Sequence, residues 1–273
     1  MFIRVIDFET THEAPDSGGG VCEIGYCDLV ATGFNLLNEP TEWSVGDPVS
    51  LLVNPGCPIP PETSAIHHLI DEDVRDREDW KHALRTILNN AERLGAIGIA
   101  AHSSKFEKLW CDVVGEDYWP TDVPWLCSYK LSLRLWPDAP RHSNMALRYW
   151  RKPGGLDREK ALPAHRAGSD AYVTAFLLRD LFEQAAQEKT MTWEQAVQWS
   201  SQPALQVTCH IGKQRGMKWA DIDDGFMRWL LDKDFDEDVL FTARYWLDKR
   251  QKEWEAERAA AQRQAEDDDG MPF

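Results

Sequence analysis

Hydrophobic and polar positions alternate from the start of the chain, and FIRVIDFETT predicts a strand over residues 2–8 that ends in acid. Successive strand side chains point to opposite faces, so Asp7 and Glu9, two apart, are neighbours on one face. Two anions at that spacing repel each other in a partly buried setting. Either the strand frays at Asp7 and both carboxylates are solvated, or the pair holds a cation. Apolar runs predict further strands over 21–30 and 49–53, separated by the loop HEAPDSGGG and a polar connection around 35–48. Together they read as an antiparallel meander.

After the turn-rich PGCPIPPETSAIHHL, the spacing of Trp80, Leu84, Ile87, Leu88 and Ala91 predicts a helix over 79–94. AIGIAA at 96–101 follows as a buried strand. Phe106, Leu109, Trp110, Val113 and Val114 then form one face of a helix over 104–114. Further helices are predicted over 128–135, 144–151 (with Ser143 as N-cap) and 168–186. This succession predicts an α/β domain over 1–187, a mixed β-sheet flanked by helices. A helical connector over 188–205 leads to a small C-terminal α+β domain over 206–258. That domain opens with the strand LQVTCHIGKQRG and continues through helices over 225–232 and 236–258. The remaining 259–273, ending in AEDDDGMPF, has too few apolar residues to pack and is expected to be a disordered acidic tail.

Composition adds that 273 residues with 43% hydrophobic content suffice for a sizeable core. Thirteen Trp against six Tyr are read first as packing. A formal charge of −16 argues against broad electrostatic grip on long nucleic acid. The average hides a strip from Ser128 to Arg166 with nine basic and three acidic residues. Such a strip suits either a polyanion gripped at one place or a solvated helical surface. The six cysteines are scattered, with no CxxC pair to suggest a zinc site. With a strand beginning at residue 2 and no apolar run of membrane-spanning length, a reduced cytoplasmic protein away from the membrane is expected.

Two further stretches bear on Asp7 and Glu9. AAHSSKFEK sets Glu107 in the first turn of a helix after a buried strand, and AHRAGSDAY sets His165 five residues before Asp170 at another helix start. Carboxylates from one strand and two helix starts can converge at a sheet edge. Four of them beside a histidine match the needs of two-metal phosphodiester hydrolysis, with Mg²⁺ as the hard, oxygen-liganded ion. Imidazole titrates close to neutrality, so His165 suits the role of general base.

IDFET, AHSSKFEK and HRAGSDA, in this order, resemble the motifs of the DEDDh-type 3′-to-5′ exonucleases of the RNase H-like superfamily. The intervening SAIHHL and CSYKLSLRLWPDAPRHSNMAL, and IGKQRGMKWADI with GFMRWLL beyond them, extend the resemblance to about Lys249. It implies an RNase H-like fold and a Mg²⁺-dependent hydrolase that takes DNA 3′ ends to nucleoside 5′-monophosphates. The resemblance places Asp7, Glu9, Glu107 and Asp170 on two metal ions and His165 as base. Thr10 and Thr11, with Phe8 between the acids, fall where the family contacts the terminal nucleotide, and His67 falls in a turn near that pocket. An exoribonuclease of the same superfamily, or a degenerate nuclease fold acting as an adaptor, are the alternatives.

The second motif departs from the family's H-N-x-x-F-D, with Ser103 for Asn and Glu107 for Asp. The longer glutamate must fold back to reach a metal, and Mn²⁺ then becomes an alternative ion. Ser104 and Glu107 also fit an S-x-x-E capping box, which would turn Glu107 to the helix backbone instead. Lys213, Arg215 and Lys218 read either as phosphate contacts or as exposed hairpin residues. The final EDDDGMPF resembles the C-terminal tip of bacterial single-stranded DNA-binding proteins. By that resemblance Asp267, Asp268 and Asp269 would steer Pro272 and Phe273 into a pocket of a DNA-maintenance protein. The other reading is an acidic solubilising tail.

Overall fold

The computed structural model describes residues 1–36, 39–114 and 123–269. The chain divides into two units, Met1–Gln202 and Pro203–Phe273.

In the first unit, β1 (Phe2–Thr10) pairs antiparallel with β2 (Val21–Phe34) and parallel with β5 (Ala96–Ala101), which pairs parallel with β6 (Trp125–Cys127). Two short strands share the outer edge of β2: β3 (Pro40–Val45) along its far half and β4 (Val49–Leu52) along Glu23–Tyr26. The result is the predicted mixed sheet flanked by helices, an RNase H-like α/β fold. The polar connection expected around 35–48 contains β3. Trp43 is its one buried side chain, so the strand shows almost no apolar alternation.

Both faces of β1 are covered, which is why the strand is apolar at nearly every position. Even positions Phe2, Ile6 and Phe8 pack with Ile24 and Ile99 against α3 (Trp80–Arg93) and α4 (Ser104–Asp112). Odd positions Ile3 and Val5 pack with Cys27 and Leu29 against α7 (Ala167–Glu188). Helix α7 is apolar around most of its surface because it lies between the sheet and α5 (Ser128–Leu135) and α6 (Asn144–Arg151). Truncating a fully buried residue such as Leu177 to Ala should cost about 2–5 kcal/mol. Two short helices, α1 (Pro61–His67) and α2 (Asp71–Val74), close the β4–α3 connection, and α8 (Trp193–Ser201) fills the predicted connector.

The basic strip is largely consumed internally. Lys130 and Arg148 are buried, Arg151 pairs with Asp180, Lys160 with Asp47 and Arg166 with Glu23.

The second unit packs Cys209, Trp219, Ile222, Met227, Leu230, Val239 and Ala243 around α9 (Asp224–Leu231) and α10 (Glu237–Asp269). The expected strand over LQVTCHIGKQRG is not formed. Gly212 and Gly216 take positive φ and break the run into 3₁₀ turns, leaving one bridge between Thr208 and Lys218. Lys213, Arg215 and Lys218 are exposed there. The expected disorder from 259 is also corrected, since α10 continues to Asp269. Its Ala-, Glu-, Arg- and Gln-rich sequence favours helix without a core, helped by pairs such as Gln251 with Glu255. Pro272 and Phe273 lie outside the described residues. Among the described residues no helix is long and apolar enough to cross a membrane.

Candidate active site

The parity that buries Ile3 and Val5 under α7 continues into Asp7 and Glu9, which therefore face the start of that helix. The same alternation corrects the expectation for Phe8. It points to the opposite face, is 5% exposed and packs in the core with Ile24 and Trp110, away from the acids.

How α7 reaches these acids depends on two glycines. Gly25 is the Cα partner of Asp7 across the β1–β2 ladder, and a Cβ there would lie 2.0 Å from the carbonyl carbon of Ala167. A Cβ on Gly168 would lie 3.0 Å from the Ser50 side chain. Without side chains at these points the first turn of α7 rests on β2 and β4 and carries Asp170 to β1. One oxygen from each of Asp7, Glu9 and Asp170 then lies within 4.8 Å of the others. His165 precedes the helix with φ 59°, its side chain exposed and its backbone N–H donating to Asp170 Oδ2 at 2.9 Å.

Glu107 comes from the other side, in the first turn of α4. It is 3% exposed, and among the described residues its Oε2 has no hydrogen-bond partner. The S-x-x-E capping box is not formed. Ser104 is already helical, Ser103 holds the cap position with φ 81°, and no side chain caps the helix. The compact group of three does not include Glu107, yet after burial its charge is the largest influence raising Asp7. His102, ahead of it, fixes the strand-to-helix turn through Ser128 Oγ at 2.9 Å and the His142 carbonyl at 2.8 Å.

Burial pushes all four carboxyls upward, and the charge of neighbouring acids adds to it. Asp7 is raised well above its usual range by burial and then by Glu107, Asp170, Glu9 and Glu23. Burial, with Asp170 and Glu23, pushes Glu9 up to about 8, and burial with Glu9 pushes Glu107 up to about 8. Burial raises Asp170 too, opposed by the His165 N–H.

Sequence reasoning missed a fifth acid. Glu23 is fully buried and directly opposite Glu9 in the ladder, a pairing of like charges that is unfavourable if left alone. Arg166 neutralises it with Nε at 2.9 Å and Nη2 at 2.8 Å, the Ala167 N–H donates at 3.1 Å, and the Ser50 hydroxyl donates as well. Burial works to raise Glu23, but these donors outweigh it and hold its carboxyl below the usual value. The available signal was an acid in the strand VCEIGY two residues before Gly25; its partner lies 143 positions away.

The three remaining candidates divide. Thr10 is half-buried and its hydroxyl donates to the His12 carbonyl at 2.7 Å. Thr11 is turned inward, 1% exposed, its hydroxyl accepting from the Gly20 N–H at 2.9 Å. His67 is buried, its Nδ1 accepting from the Leu69 N–H at 3.0 Å. Burial holds its pKa below the usual value, with Glu23, Arg166 and His165 all near enough to act on it.

Three clustered carboxyls, with Glu107 close enough to act on Asp7 and with Asp170 Oδ1 and Glu107 Oε2 buried and unpartnered among the described residues, fit a divalent cation that takes oxygen ligands. Cation binding would supply the compensation that burial denies these anions.

Known proteins similar to this chain are exonucleases. A sequence model of the family described as Exonuclease (RNase_T) matches residues 5–178. Exodeoxyribonuclease 10 of Escherichia coli (strain K12) is 29% identical over 252 residues, covering 90% of this chain and 99% of the relative. A solved structure described as Exonuclease X in complex with 5' overhanging duplex DNA is 28% identical with a TM-score of 0.53. The match covers 73% of this chain and 99% of that one. A full-length 3'-exonuclease structure, 15% identical with a TM-score of 0.51, covers 68% of this chain and 61% of its own, and shares the fold.

Proposed function

The chain belongs to the exonuclease family, and on that footing we propose that it is a divalent-metal-dependent 3′-to-5′ exonuclease. Its substrate would be DNA 3′ ends and its products nucleoside 5′-monophosphates. The observation that carries this reading is the convergence of Asp7, Glu9 and Asp170 oxygens within 4.8 Å, with a buried, unpartnered Glu107 oxygen nearby.

Asp7, Glu9, Asp170 and Glu107 would hold two Mg²⁺ ions, or Mn²⁺. Such ions supply Lewis-acid stabilisation to the attacking and leaving oxygens of phosphodiester hydrolysis. His165, exposed and joined to Asp170 through its backbone N–H, would take the proton from the attacking water. That N–H holds Asp170 Oδ2 at 2.9 Å and so fixes the carboxylate relative to the base. The half-buried Thr10 beside these acids suits a place next to the terminal nucleotide, while the inward-turned Thr11 fixes the following loop through the Gly20 N–H.

DNA as substrate is supported by the relatives, one named an exodeoxyribonuclease and one bound to duplex DNA. The acidic overall charge favours a grip confined to the strand end. Six cysteines, all unpaired as disulfides, suit a reducing compartment such as the cytoplasm.

The test uses end-labelled single-stranded DNA, duplex DNA and RNA, each with Mg²⁺, Mn²⁺ or EDTA, beside an Asp7→Ala control. Stepwise shortening of 5′-labelled DNA that stops in EDTA and in the variant is expected. Degradation surviving either control would overturn the metal mechanism, and faster loss of RNA would reassign the substrate.

A further inference from the structure

Glu23 and Arg166 lie outside the proposed set of metal ligands, yet they join the strand position opposite Glu9 to the helix start that carries Asp170. The Glu23 carboxylate gathers donors from three places: the Arg166 side chain ahead of α7, the Ala167 N–H that begins α7, and Ser50 on β4. Arg166 is flanked by His165 and Ala167, and its carbonyl accepts from the Asp170 N–H at 3.0 Å. One guanidinium–carboxylate contact is thus a single hydrogen bond from Asp170's backbone and one residue from His165. The contact is bidentate and one partner is fully buried, a geometry that fixes orientation as well as distance.

We propose that Glu23 and Arg166 act as a positioning latch, which clamps the start of α7 to β2 and so sets Asp170 and His165 against Asp7 and Glu9. This rests on the reading of those acids as a cation site. The latch also keeps charge in order. With Glu23 neutralised by Arg166, Glu9 opposite it remains available to a metal; with Glu23 removed, the freed guanidinium would compete for Glu9.

The test compares Glu23→Gln, Arg166→Gln and their double variant with the native protein, each first shown to fold by circular dichroism. Three readouts are used: Mn²⁺ binding by calorimetry, kcat and KM on single-stranded DNA, and amide hydrogen exchange of residues 166–171. For each single variant, kcat falls at least tenfold with KM within threefold, and exchange in that segment speeds at least tenfold. Glu23→Gln also weakens Mn²⁺ binding at least fivefold, and the double variant is no worse than either single one because both remove the same contact. Ser50→Ala, which keeps both charges, shifts the readouts in the same direction by two- to threefold and serves where the glutamine variants do not fold.

Variants that lose thermal stability but keep native kcat and exchange would overturn the latch and leave an ordinary ion pair. A raised KM with unchanged kcat would overturn it in favour of a substrate contact by Arg166. If the native protein binds no Mn²⁺, the cation-site reading itself falls, and the latch with it.

Discussion

Gly25 stands opposite Asp7 in the β1–β2 ladder, and a methyl group on it would meet the Ala167 carbonyl carbon at 2.0 Å. The close approach of α7 to β2 and the placement of Asp170 are therefore one feature. Gly25→Ala must push the helix start away from the strand, at a cost of about 1–3 kcal/mol. Urea melts and turnover on single-stranded DNA check this, and kcat should fall further than the stability loss alone accounts for. Native turnover in a well-folded Gly25→Ala protein would show that Asp170 does not depend on this contact.

The upward shifts of Glu9 and Glu107 to about 8 fix the sign of a pH effect. A raised folded-state value means that the native protein binds protons more tightly than the unfolded chain. The stability these groups contribute is present in full below the ordinary glutamate value of 4.5 and lost as pH rises through about 8. Each group adds a slope of at most about 1.4 kcal/mol per pH unit. In EDTA, Tm should fall between pH 6 and 8.5, and Mn²⁺ should raise it most at the alkaline end, where protons no longer compete for the ligands. Glu9→Gln should flatten the profile, because it removes one group raised to about 8 and relieves part of the repulsion that raises Asp7 and Glu107, while the neighbouring Glu23 is already neutralised by Arg166. A Tm that rises with pH in EDTA would contradict the repulsion among these acids.

Much of this architecture could be read from local pattern. The strand AIGIAA and the helices over 128–135 and 144–151 emerged at the predicted positions because single faces or short apolar runs marked them. Asp7, Glu9 and Asp170 were legible because strand parity and a helix start are local facts. Strand β3 was hidden because Trp43 alone carries its buried face, and the resemblance set Phe8 among the nucleotide contacts although its own parity turns it into the core. The Glu23–Arg166 pair was not legible, since no local rule joins residues 143 positions apart. The C-terminal helix ran past its expected end because helix propensity alone, without apolar periodicity, sustains it.

Glu107 separates shape from charge. Its buried Oε2 has no partner, so Glu107→Gln removes an uncompensated anion. At pH 8 in EDTA that variant should melt higher than the native protein, while its turnover with Mg²⁺ falls at least about tenfold, the scale of a lost metal-site contact. Glu107→Asp keeps the charge and should retain turnover within tenfold. Equal losses in both variants would mark a packing role, and a lowered Tm in Glu107→Gln would mark a structural hydrogen bond.

His165 holds φ 59°, a conformation that Asn adopts more readily than most residues, and its bond to the site runs through its backbone N–H to Asp170. His165→Asn therefore keeps the turn and that hydrogen bond while deleting the imidazole. Such a variant should fold with a Tm within a few degrees of native and bind Mn²⁺ with native affinity. Its kcat should drop by about 10²–10⁴, the range expected for a general base. Added imidazole should restore part of the rate, because the exposed position leaves room for it. If His165→Asn instead loses Mn²⁺ binding at unchanged stability, the side chain acts on the acidic cluster and not on the water, and the base must be sought elsewhere.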